Sequence, residues 1–312
     1  MGPKAGPVQN WEGAHVTIGF LGLGEAGSAM AAGLRAQGVD GVVAYDRAWQ
    51  ESELVRIRAA ECGVELVASP EELACRAEVI ISSVVGAVAR SAAASIAEHL
   101  GEGHWYLDIN SVSPGVKEAI AQDLAPRGVS FVDIAVMAAV TSDLPALPLL
   151  AAGEWATEVA ARFPGVELDL TPVSERPGDA ARIKMFRSLF IKGLEALALE
   201  ALMACYPAGV HEQVLATLDE TFARRSFSDF VRRMVQRHAV HGERRAHELV
   251  EVADSLREVE IDPIMAQAAF ERMSWSIERG LQKGFQDGHT PDWRTVLDEL
   301  EELRAGEVHD TV

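Results

Sequence analysis

Apolar residues in the first half of the chain come in short runs, and the stretches between those runs place apolar positions at helical spacing. Alternating strand and helix is the pattern of a parallel sheet with crossover helices. The runs predict a strand leading into Gly22, then strands over 41–45, 64–67, 79–85, 104–109 and 129–134, with two more over 147–151 and 166–170. Between them the spacing predicts helices after the Gly22 turn, over 51–61, from Pro70, over 87–100, from Pro114 with Ser113 as its cap, and near 155–163. The 79–85 run is almost uninterrupted, as in a strand covered on both faces, so it belongs at the centre of the sheet. From Pro177 the β-branched runs give way to long segments of Ala, Leu, Glu and Arg. Residues 179–205 contain no proline or terminating glycine and read as one helix, ended by Pro207 and Gly209. Further helices are expected over 211–223, 228–240, 243–259, 263–282 and 293–305. The predicted architecture is a doubly wound, Rossmann-type, mostly parallel α/β domain over 14–176. An all-helical domain over 177–308 follows it, joined by the long helix, and residues 1–13 form a disordered tail.

The first strand runs straight into Gly22-Leu23-Gly24-Glu25-Ala26-Gly27 and then a small-residue helix. In that order a first glycine permits the tight turn, the second lets a pyrophosphate approach bare backbone N–H groups, and the third lets helix and strand pack closely. The phosphates would then meet the positive end of a helix dipole. The second strand ends in Asp46, about 20 residues on, where an acid is expected to bind the ribose hydroxyls. Asp46 favours NAD, because a 2′-phosphate would meet a carboxylate; Arg47 beside it keeps NADP open. Ligands of open α/β sheets bind outside the carboxyl ends of the strands, which adds Ser82 to Gly86, with Ser83, Val84 and Val85 toward the cofactor, then Asn110 to Ser113, then 133–139.

With 312 residues the chain is comfortable for two cores. Its 47 acidic against 28 basic residues, a formal net charge of −19, argue against nucleic acid or an anionic membrane as partner. Cys62, Cys75 and Cys205 share no metal or redox spacing and lie in apolar company, so they read as buried reduced thiols of a cytoplasmic protein. The first residues lack the apolar core of a signal peptide, and no uncharged run is suited to span a bilayer. A nicotinamide enzyme also needs a group that exchanges a proton beside the hydride position. Lys184, Ser188 and Lys192 follow one another at helical i, i+4 and i+8 spacing, with Arg182 and Arg187 near them in sequence.

The run Ile18 to Ala31 resembles the N-terminal pattern of the β-hydroxyacid dehydrogenase family, which includes 3-hydroxyisobutyrate dehydrogenase and is similar to 6-phosphogluconate dehydrogenase. The family's turn is GLGxMG, with Ala26 here at its methionine. Asp108-Ile109-Asn110-Ser111-Val112-Ser113-Pro114 resembles its Asp-x-Ser-Thr…Pro segment. Lys184 falls where that family carries its catalytic lysine, on the interdomain helix after a glycine, here Gly178. The resemblance implies a dehydrogenase that interconverts a small, acidic hydroxy compound and its carbonyl. Lys184 is then the acid and base, Ser111 and Ser188 orient the substrate, and a homodimer forms through the helical domain. The chain departs from the family at two places. The Ser-Gly-Gly turn that holds a substrate carboxylate is replaced by Val136-Met137-Ala138-Ala139, and the asparagine after the lysine is Ser188. Arg187 or Lys192 is the candidate to replace the lost carboxylate contact.

Beyond Gly209 the resemblance is one of layout, closest to a branch with its own small helical domain. There Arg224, Arg225, Arg232, Arg233, Arg237, Arg244 and Arg245 gather with His238, His241 and His247. No carboxylate or cysteine pattern supports a metal there, so subunit packing is the preferred reading. Two rival functions remain: an imine reductase on the same fold, suggested by the apolar turn, and a catalytically silent dinucleotide-binding protein.

Overall fold

The computed structural model describes residues 16–138, 147–163, 168–285 and 289–309, and it divides into two compact units, Met1–Leu189 and Phe190–Val312. The first unit is an eight-stranded sheet of β1 (Ile18–Leu21), β2 (Val42–Tyr45), β3 (Glu65–Leu66), β4 (Val79–Ser82), β5 (Trp105–Asp108), β6 (Ser130–Val136), β7 (Leu149–Ala152) and β8 (Leu170–Ser174). The strand order is β3-β2-β1-β4-β5-β6-β7-β8, so β1 and β4 lie side by side where the winding reverses. All pairings are parallel except β6 with β7.

Period-two alternation along each strand feeds two separate cores. Ile18, Phe20, Val79, Ile81, Trp105 and Leu107 point to one face, where α1 (Glu25–Ala36), α2 (Glu53–Glu61) and α6 (Ala156–Arg162) cover them. Leu21, Val43, Ile80, Tyr106 and Phe131 point to the other, against α3 (Pro70–Arg76), α4 (Ala89–Ala97) and α5 (Pro114–Leu124). β4 is buried throughout, as the unbroken 79–85 run requires, but pairing stops at Ser82 and the next three residues leave the sheet. The last strand is Leu170–Ser174 rather than 166–170; residues 164–167 lie outside the described residues, as do 1–15 with the expected tail.

The helix α7 (Asp179–Cys205) has the bounds its sequence predicts. The second unit continues with α8 (His211–Ala223), α9 (Phe227–Glu258), α10 (Ile264–Glu278) and α11 (Trp293–His309). α9 joins the two helices expected over 228–240 and 243–259 across a kink at His241, whose φ of −125° is not helical. Gly242, next to the kink, sits so close to His238 and Gln282 that a β-carbon would approach their nitrogens to 3.0 and 2.7 Å. The cysteines also correct the expectation, since Cys62 is buried, Cys75 exposed and Cys205 intermediate. Among the described residues no helix is long and apolar enough to cross a membrane.

Candidate functional site

The β1–α1 turn is built around backbone that side chains would obstruct. Gly22 has φ +93°, and a β-carbon on it would lie 2.5 Å from the Ser83 carbonyl oxygen. A β-carbon on Gly27 would lie 2.8 Å from the Gly22 oxygen, so α1 touches the turn here as the third glycine of the motif requires. Over Gly24 the opposite holds: nothing lies within 4 Å of a β-carbon, and the space is open to a ligand. Glu25 and Ala26 begin α1 behind it, with the Leu23 side chain fully buried in the core.

A cavity of about 450 Å³ joins Gly22 and Gly24 to Asp46, Arg47, Ser83, Val84 and Val85. Val85 is 75% exposed, an apolar side chain left open at the carboxyl edge of the sheet. Asp46 accepts from Leu23 N–H and Ala48 N–H, each at 2.9 Å, which fixes the carboxylate beside the turn. A carboxylate has about four acceptor sites, so capacity remains for ribose hydroxyls. The donors, the glycine cradle and the apolar wall fit a nicotinamide dinucleotide. The Leu23 N–H is spent on Asp46, while Asn110 uses its amide to accept from Val84 N–H at 2.7 Å and to donate to Ser82 Oγ at 2.9 Å.

The second half of the site is at the ends of β5 and β6. Asp108 and Asp133 stand opposite each other in register, both fully buried. Two carboxylates side by side in an apolar interior require a cation. Lys117 of α5 supplies it, itself fully buried, with Nζ 2.9 Å from Asp108 Oδ1, 3.1 Å from Asp133 Oδ1 and 2.5 Å from the Asp108 carbonyl oxygen. The other oxygen of Asp133 accepts from Ala181 N–H at 2.9 Å. One buried cluster therefore ties strand ends, α5 and the first turn of α7 together.

Lys184 lies three residues on from Ala181, and its Nζ donates to Ser111 Oγ at 2.7 Å. Burial holds the Lys184 ammonium below the ordinary lysine range, the nearby Lys117 charge pushes it further down, and Asp133 partly offsets both. The cation acting on Lys184 is thus not a neighbour in sequence. Arg182 is spent on Asp179 and, at 2.8 Å, on Glu118. Ser188 is half-buried one turn beyond Lys184, and Arg187 and Lys192 are exposed. Lys192 belongs to the second unit. Met137 packs against the Ala135, Ala152 and Ala180 cluster, Ala138 is exposed, and Ala139 lies outside the described residues.

Lys117 is the residue that sequence reasoning misses. Its signal is present nonetheless: it shares the buried stripe of α5 with Ile120 and Leu124, a charged residue where the period calls for an apolar one. Among the described residues no group of three or more His, Cys, Asp or Glu is arranged to hold a metal.

Residues 17–153 match the NAD binding domain of 6-phosphogluconate dehydrogenase, and residues 206–276 match a domain of unknown function, DUF1932. A conserved hypothetical protein from Sinorhizobium meliloti is 35% identical over 94% of this chain and 98% of its own, with a TM-score of 0.60. A conserved protein described as structurally similar to 3-hydroxyacid dehydrogenases is 30% identical, over 83% and 97%, with a TM-score of 0.58. An imine reductase from Myxococcus stipitatus, solved with NAD+, is 18% identical over 91% and 99%, with a TM-score of 0.72, a likeness of fold.

Proposed function

We propose a specific chemistry for this chain, which belongs to the β-hydroxyacid dehydrogenase family and is an NAD(P)-dependent oxidoreductase. The substrate is a small, acidic hydroxy compound or its keto counterpart, and Lys184 is the general acid and base. The observation that carries this reading is the 2.7 Å hydrogen bond from Lys184 to Ser111, formed by a lysine whose charged state burial and Lys117 disfavour. When bound, the nicotinamide supplies or takes up the hydride at the substrate carbon. In reduction Lys184 gives its proton to the carbonyl oxygen as that oxygen gains charge; in oxidation the neutral amine takes the hydroxyl proton back. A lysine held below its ordinary range spends more time neutral near physiological pH, which suits both directions. Ser111 fixes the ammonium, and Ser188 presents a second hydroxyl to the substrate. Asp46 favours NAD through the ribose hydroxyls, with Arg47 exposed beside it for a 2′-phosphate; the two Michaelis constants decide between them.

The decisive experiment is Lys184→Ala with NADH binding and turnover measured together on a panel of 2- and 3-keto acids. We expect binding to be kept and turnover to fall about 10²–10⁴-fold, the usual worth of a positioned acid or base. Turnover near that of the wild type would remove Lys184 from the chemistry. The apolar Val136 to Ala138 segment supports a second reading, imine reduction, and cyclic imines belong in the same panel. If neither class is turned over while NADH binds, the silent-binder reading stands.

The helical unit supports pairing of two copies. Leu199, Met203, Leu215 and Leu218 of α7 and α8 are 41–59% exposed, a row of large apolar residues that a lone chain would leave in water. Light scattering on the purified protein should return twice the chain mass.

A further inference from the structure

The second unit contains a cavity of about 680 Å³ between α9, α10 and α11, and nothing in the oxidoreductase reading uses it. Met234 and Val235 of α9 and Leu297 and Leu300 of α11 give it an apolar wall. Three guanidinium groups also line it, Arg245 of α9, Arg272 of α10 and Arg304 of α11. The carboxylate in the lining is already committed, since Glu301 takes Arg304 in a two-pronged pair, Nε to Oε2 at 2.7 Å. Among the described residues Arg245 and Arg272 have no carboxylate at ion-pair distance, whereas the neighbouring Arg244 is paired to Glu248.

The Arg272 guanidinium lies 4.2 Å from the centre of the Trp275 ring, which orients its plane. The Ser276 hydroxyl donates to the Met273 carbonyl, so its 2.7 Å contact with His238 Nε2 needs the ring to donate there. Burial, Arg245 and Arg272 each disfavour the charged imidazole, so His238 stands neutral in the wall.

We propose that this cavity is a binding site for a small organic acid, its carboxylate held by Arg245 and Arg272 and its apolar body lying on Met234, Leu297 and Leu300. Planar guanidinium forks match carboxylate geometry, and the volume is that of an ordinary small-molecule site. An inorganic anion would use the cations and leave the apolar wall wet, so it is the poorer ligand. The site stands independently of Lys184.

The test is isothermal titration of the full chain, saturated with NADH, with 3-phenylpropanoate, with the uncharged 3-phenylpropan-1-ol and with inorganic phosphate. The carboxylate should bind at least about tenfold more tightly than the alcohol or phosphate, from its charged hydrogen bonds. Arg245→Met and Arg272→Met should each weaken it by about tenfold or more, while Arg244→Met leaves it unchanged. Among the described residues Arg245 stacks on no ring, so its variant keeps the test valid if loss of the Arg272–Trp275 contact perturbs the fold; circular dichroism checks each protein. The proposal is overturned if the carboxylate gives no heat at millimolar concentration, as when a second copy fills the cavity. Equal binding of acid and alcohol, or undiminished binding to Arg245→Met, overturns it as well.

Discussion

Replacing Lys117 by methionine is the sharpest probe of the site, because it removes one charge and little volume from a fully buried cluster. Asp108 and Asp133 are both 0% exposed and face each other across β5 and β6, and Lys117 is the cation between them. Breaking a buried pair by deleting one partner costs about 3–5 kcal/mol, since the remaining charge is left in a poor solvent. Here two carboxylates are stranded, so the upper end applies, against a whole stability of about 5–15 kcal/mol for a typical protein. With a slope of about 2 kcal/mol per molar urea, the midpoint should fall by about 2 M. Adding Asp133→Asn should recover part of the loss, because an amide oxygen still accepts from Ala181 N–H. A midpoint shift below about 0.5 M at pH 7 would refute the claim that these three groups are a dry, mutually dependent cluster. In the active variant the Lys184 ammonium, relieved of the Lys117 charge, should titrate higher, so the oxidation rate should rise with pH at more alkaline values than in the wild type.

Three further outcomes follow from the same geometry. Ser111→Ala removes the acceptor of the Lys184 hydrogen bond, worth about 1.5–3 kcal/mol for a charged donor, and should lower kcat by about 10–100-fold with NADH affinity unchanged. Gly22→Ala forces a β-carbon against the Ser83 carbonyl at a φ of +93°, and fluorescence titration should find NADH binding lost or the protein insoluble. Burial, with Arg245 and Arg272, holds the folded pKa of His238 below the ordinary imidazole value of about 6.5, so the unfolded chain takes up the proton first. Stability contributed by the neutral ring is therefore present above about pH 6.5 and lost as pH falls through it. The Tm of the wild type should drop more between pH 7.5 and 5.5 than that of His238→Gln; equal drops would contradict the burial of that ring.

Much of this protein is written locally. The glycine turn, the unbroken apolar run of β4, the Pro114 start of α5 and the bounds of α7 depend on φ angles, side-chain pattern and capping within a few residues, so they can be read from the chain alone. Asp46 could be placed because its distance from the turn is set by one strand–helix–strand unit. The same reading put a helix break at 241–242, and α9 is broken there by its kink at His241, with Gly242 against His238 and Gln282. It also looked for the cation beside Lys184 among its sequence neighbours. The structure places that cation on α5 and commits Arg182 to Glu118. Which charges meet depends on strand order and helix docking, and Coulomb interactions act through space at distances that sequence separation does not encode. The composition and local pattern thus determined a dinucleotide fold and a helical partner unit. Only the packing of β5, β6, α5 and α7 decided that Lys184 would stand on Ser111 above a buried ion cluster, and only the packing of α9, α10 and α11 left two arginines facing an apolar wall.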